Sequence, residues 1–197
     1  MAKVEEKSKA LGEQESAVCN LSNAVENCPK WYALKLFYNR TKEIGLYTER
    51  LGCELYIPLR TIKYSVAGRE VKRQIPAISS LAFIKSTKEQ ILTLKRELQG
   101  RVMVYGDPKS REPKHIEDEE MRDFRLVTEM DENFECVDIA TQSWMQGDRV
   151  RVKDGVFKGA EGYIHRIKGN RRLIVAIEGV VAVATSYIPA KMLEKIQ

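Results

Sequence analysis

The chain has 197 residues, with 33 Lys and Arg against 28 Asp and Glu, a formal net charge of +5, and 43% hydrophobic residues. That composition excludes a disordered, collagen-like or disulfide-stapled protein and leaves room for one medium domain or two small ones. No apolar run reaches membrane-spanning length, and the charged stretch Met1–Lys9 leads into no apolar h-region, so a cytoplasmic protein with no membrane partner is expected.

Charge is unevenly distributed. Residues 31–114 carry 17 basic and 8 acidic side chains, residues 115–146 carry 2 and 10, and residues 147–197 carry 10 and 5. Two basic blocks flank an acidic one, a pattern that suits a polyanionic partner as well as a solvated surface. The acidic segment is expected to lie against one of the basic surfaces and damp non-specific nucleic-acid binding. Cys19, Cys28, Cys53 and Cys136 are isolated, with no CxxC pair, so reduced thiols are expected rather than zinc ligands or disulfides.

Residues 1–30 are polar and aperiodic and read as a mobile tail. Trp31–Tyr38 reads as a strand, Asn39 as an N-cap, and Ile44, Tyr47 and Leu51 as the buried stripe of a helix stopped by Gly52. Residues 54–66 predict a strand interrupted by Pro58, and Ala67-Gly68 turns it into a return arm over 70–75. Residues 78–84 predict the next strand. Ser86 and Glu89 form a capping-box pattern for a helix with Ile91, Leu94 and Leu98 on one stripe, ending at Gly100. A strand over 101–105 follows. A third helix is expected over 116–130, with acids massed in its first turn. Residues 131–146 read as an acidic linker. The last fifty residues predict five short strands, at 148–153, 160–167, 171–177, 180–184 and 187–189. The fold expectation is α+β: an antiparallel sheet flanked by helices over 31–130, linked to a small five-stranded β-barrel over 147–197.

One stretch carries a recognisable pattern. Gly147, Asp148, Val150, Val152, Gly155, Phe157, Gly159 and Gly162 follow G-D-x-V-x-V-x-x-G-x-F-x-G-x-x-G, and resemble a KOW motif. Trp31-Tyr32-Ala33-Leu34 opens the domain upstream. Together they resemble the NusG family of transcription elongation factors, in which an NGN domain precedes a KOW barrel. WYALKLFYNR, CELYIPLRT, SLAFIKS and RLIVAIEGVVAVATSYIPA are similar to UpxY-type antiterminators of Bacteroides capsular polysaccharide operons.

The resemblance implies a factor that docks on the clamp helices of the RNA polymerase β′ subunit and suppresses pausing and termination. Its docking face would use Ile78, Leu81 and Phe83, with Trp31 and Ala33 on the first strand and Val102 and Val104 on the fifth. The Pro and Tyr of the family's docking strand are absent from residues 78–84. Lys63, Arg69, Lys72, Arg73, Lys85, Lys88, Lys95 and Arg96 are candidates for contacting DNA or nascent RNA. The barrel's Arg149, Arg151, Lys153, Lys158, Arg166, Lys168, Arg171 and Arg172 would meet RNA or an acidic protein; relatives bind a ribosomal protein or Rho there. An RNA- or ribosome-binding KOW protein that leaves polymerase alone is the alternative. His115 and His165 lie far apart in sequence, and neither a Walker loop nor Gly-x-Ser-x-Gly occurs, so no enzymatic activity, metal or cofactor is expected.

Overall fold

The computed structural model describes residues 28–107, 109–138, 145 and 147–196. Most of the expected tail, and the linker from 139 to 144, lie outside the described residues.

Strand β1 (Lys30–Leu36) is central, because its side chains are apolar on both faces. It pairs antiparallel with β5 (Leu81–Ser86), which pairs with β2 (Glu54–Tyr56). On the other side β1 pairs with β6 (Val102–Val104) and β7 (His115–Ile116). The sheet order is β2-β5-β1-β6, with β7 added beside β1. One face packs under helices α1 (Thr41–Leu51) and α2 (Lys88–Glu97). Tyr32, Leu34, Leu36, Ala82 and Ile84 meet Ile44, Tyr47, Ile91, Leu94 and Leu98 there. The opposite face packs under helix α3 (Asp118–Met130).

Several boundaries differ from the sequence expectation. The residue before α1 is Arg40, not Asn39, which falls in a short 3₁₀ turn where Tyr38 takes φ 59°. Gly52 caps the helix in the left-handed conformation, as expected. The capping box of α2 is Thr87 with Gln90, one residue later than Ser86 with Glu89. Ser86 Oγ instead donates to Gln90 Oε1 at 2.8 Å, which fixes the glutamine for the cap. Ile116 leaves the expected helix and joins the sheet with His115, and α3 starts after Glu117, whose carboxylate accepts the Glu120 backbone N–H.

Pro58 ends β2 rather than bulging it. The next strand, β3 (Leu59–Val66), turns at Ala67-Gly68 into β4 (Arg69–Pro76), and the two form a separate two-stranded ribbon. Residues 78–80 are a turn with Ser80 at φ 62°, so Ile78 lies ahead of β5 and not in it.

The C-terminal sheet has order β13-β9-β10-β11-β12-β8. Its strands are β8 (Glu135–Val137), β9 (Arg149–Val152), β10 (Glu161–Ile167), β11 (Asn170–Ile177), β12 (Val181–Tyr187) and β13 (Leu193–Lys195). Four of the five expected strands stand close to their predicted positions. The fifth falls at 193–195, because residues 188–192 form an extended stretch and a 3₁₀ turn. The sixth, β8, comes from the segment read as linker and adds to the β12 edge. Among the described residues β13 and β8 do not pair, so hydrogen bonding does not close the sheet on itself. Gly155 and Gly159 take φ 87° and 91° in the turn between β9 and β10, and Phe157 is buried between them.

Candidate functional site

The register of β1 and β5 decides which candidates share a surface. Ala33 lies opposite Phe83, and Lys35 opposite Leu81, so Trp31, Ala33, Leu81 and Phe83 line one face. Val102 and Val104 lie opposite Leu36 and Leu34, and therefore point into the α1–α2 core on the other face. They are not part of the same surface as Trp31, a correction to the sequence reading. Its cause is the period-2 alternation of a buried strand, which the two-sided apolar sequence of β1 hides.

The Trp31 face is covered. Phe83 is fully buried, and its ring sits 5.2 Å from that of Phe124 on α3. Met121 and Val127 pack on either side. Tyr56 Oη and Thr128 Oγ1 hydrogen-bond at 2.7 Å, and burial pushes the Tyr56 hydroxyl pKa up. Arg125 lies over the Tyr56 ring at 4.7 Å and the Trp31 ring at 5.9 Å, while pairing with Glu54 at 2.7 Å and Glu129 at 3.2 Å. Lys85 also lies over Trp31 and pairs with Asp118 at 2.9 Å. A polar clamp thus crosses the edge of an aromatic face. Where that face meets the root of the ribbon, Tyr56, Ile57 and Leu59 line a groove together with the charged Arg60, Glu129 and Glu132, and Leu59 is 45% exposed.

Helix α3 has two partners. Its second side packs on the C-terminal sheet, and one apolar core runs from Trp31 and Phe83 through Phe124 to Val175, Val183 and Ile188. Two buried carboxylates pin the contact. Asp123 Oδ2 accepts the Glu161 N–H at 3.1 Å, and burial raises its pKa against the opposing pull of that bond and of Arg122. Asp131 accepts the Ser186 N–H and, at 2.9 Å, the Ser186 hydroxyl. Sequence reasoning missed both aspartates. Asp123 reads as solvated helix surface and Asp131 as the start of an acidic linker, and the second sheet buries both.

The nucleic-acid candidates separate into two groups. Lys63, Arg69, Lys72 and Arg73 stand on the ribbon, and Lys85, Lys88, Lys95 and Arg96 around α2. Lys85 and Lys88 are held by Asp118 and Glu112, the latter at 3.1 Å. In the C-terminal sheet, Arg149 and Arg151 pair with Glu161, and Arg172 and Lys168 with Glu135, at 3.1 and 4.0 Å. Glu135 is the residue of the acidic segment that makes these two pairs. Gly147 precedes β9, Val150 and Val152 are its two buried residues, and Gly162 lies against β11.

Residues 29–125 match the model of the family described as "Transcription termination factor nusG". That segment, just under half of the chain, resembles a NusG-family domain. The matched segment contains β1 to β7, the ribbon and the first half of α3. A solved structure, "Domain interaction in Thermotoga maritima NusG", is similar to this chain at 18% identity and TM-score 0.46, covering 86% of this chain and 98% of that one. Comparison with curated proteins returns no match. Among the described residues no helix is long and apolar enough to cross a membrane.

Proposed function

We propose that this NusG-family protein is an operon-specific antitermination factor that rides on RNA polymerase in the cytoplasm and acts in capsular polysaccharide operons. The observation that carries the reading is the NusG domain itself, joined to the UpxY-like segments WYALKLFYNR and SLAFIKS on its two central strands. The activity is one of binding rather than catalysis. A factor with higher affinity for the closed clamp shifts polymerase toward that state by the difference in affinity.

Docking uses the groove of Tyr56, Ile57 and Leu59 beside Thr128, where the aromatic face reaches solvent. Trp31, Ala33, Leu81 and Phe83 belong to the buried core against which Tyr56 and Ile78 pack. In the C-terminal sheet Lys153, Lys158, Arg166 and Arg171 form no ion pair among the described residues, and they are where RNA or an acidic protein such as a ribosomal protein or Rho would bind.

Two measurements test this. Leu59→Asp, at an exposed position, is expected to abolish co-purification with core polymerase while leaving the thermal midpoint within a few degrees; undiminished co-purification would remove the groove as the docking site. A genome-wide map of the protein on transcribing polymerase is expected to show occupancy over one or a few long operons. Uniform occupancy would make it a general elongation factor instead.

A further inference from the structure

The ribbon β3–β4 stands apart from both larger sheets, and its register sorts its side chains onto two faces. One face holds the cross-strand pairs Val66–Arg69, Tyr64–Val71 and Ile62–Arg73. The other holds Ser65–Glu70, Lys63–Lys72 and Thr61–Gln74. The first face therefore has an apolar centre, Tyr64 on Val71, with Arg69 and Arg73 on either side. Tyr64 is 41% exposed and Val66 51%. A two-stranded ribbon has no second layer of its own to cover such a stripe. The ribbon's one acid, Glu70, lies on the opposite face and pairs with Lys63 at 3.5 Å. Arg69 and Arg73 have neither an ion pair nor a side-chain hydrogen bond among the described residues. Arg60, at the root, shares a cleft with Glu132 and Glu135 and is set aside.

We propose that this face binds duplex DNA in the major groove, with Arg69 and Arg73 on phosphates or base edges and Tyr64 and Val71 against the groove floor. An acid-free face with two unpaired guanidinium groups selects a polyanion. A two-stranded ribbon fits the B-form major groove, whereas the deep, narrow major groove of A-form RNA does not admit side chains. Arg69 and Arg73 are four residues apart on one strand, about 14 Å at about 3.4 Å per residue, comparable with the width of that groove at about 12 Å. The inference deepens the reading that nucleic acid is a second partner of the elongation factor, and it stands apart from the docking groove.

The full-length protein is titrated into a fluorescein-labelled 20-base-pair duplex at about 50 and 200 mM salt, followed by anisotropy. Arg69→Gln/Arg73→Gln is expected to weaken binding at least about tenfold at the lower salt and to reduce the slope of log K against log salt by about two, near 0.9 per lost phosphate contact. Tyr64→Ala should weaken it severalfold, and Lys42→Gln on α1, a charge control, should not. The double variant is expected to keep co-purifying with polymerase, so a failed docking groove and a failed ribbon give different results. The proposal is overturned if the parent shows no saturable duplex binding, or if the double variant binds duplex as the parent does. It also falls if single-stranded RNA binds tighter than duplex and is lost in the same variant, or if that variant loses polymerase but retains DNA.

Discussion

Gly162 shows how a motif glycine acts without touching a ligand. A Cβ placed there would collide with the Ile174 carbonyl oxygen on β11, so the glycine lets the two strands approach. Backbone on one side cannot yield as a side-chain tip would, and Gly162→Ala is expected to cost about 1–3 kcal/mol in urea unfolding. An unchanged midpoint would mean that β10 can shift freely. Asp131 is the other costly position. It accepts the Ser186 N–H and hydroxyl, and the Asn133 N–H at 2.9 Å. Asp131→Ala leaves those donors short of an acceptor and should lower stability by about 3 kcal/mol. Asp123 behaves differently, because burial raises its pKa. The native state then holds the proton more tightly than the unfolded chain, so ionisation near pH 7 costs stability, and that cost fades as pH falls through the raised value. Asp123→Asn keeps an oxygen for the Glu161 N–H and removes the charge. It is expected to match or exceed the parent in urea midpoint at pH 7, with the difference narrowing at pH 4. A variant less stable at pH 7 and not at pH 4 would reverse the sign.

At the scale of elements, the helices and the central strands could be read from sequence because their signals are local. Ile44 and Tyr47, or Ile91 and Leu94, recur at helical spacing, and Gly52 stops α1 where expected. The shifts at Thr87 and Glu117 are of one residue or two, within which neighbouring Ser, Thr and Glu compete for the same cap. What stayed hidden was pairing. Nothing local in Glu135-Cys136-Val137 says that it will join β12, or that His115-Ile116 will join β1; both depend on an edge formed by residues far away. The candidate docking face was legible as apolar but not as covered, since α3 reads as a surface helix with one apolar stripe. This decides how the face can be tested. Phe83→Ala should cost about 3–5 kcal/mol, and an aspartate there would unfold the domain rather than report on polymerase. The ribbon is the reverse case. It shares little with either core, so replacing residues 60–75 by a short turn should leave the thermal midpoint within a few degrees. A large loss would show that the ribbon supports β2 or β5.

The molecule as a whole is joined by a helix that serves two sheets. Phe124 and Met121 of α3 bury Phe83 and Trp31, while Asp123 and Asp131 hold Glu161 and Ser186. Lys114 adds an exposed pair with Glu178 at 2.8 Å, which counts for little beside the buried core. Because the apolar cluster is continuous from β1 to β12, opening either sheet strips α3 of one of its two supports. The two sheets should therefore unfold as one cooperative unit rather than as beads on a linker. Native-state hydrogen exchange reads this directly. Val183→Ala removes two buried methyl groups in the C-terminal sheet, and is expected to lower the opening free energy of β11 amides by about 2 kcal/mol. Cooperation through α3 requires β5 amides, in the other sheet, to fall by a similar amount. If only β11 and β12 loosen while β5 keeps its protection, the contact through Asp123 and Asp131 is a docking of two independent bodies.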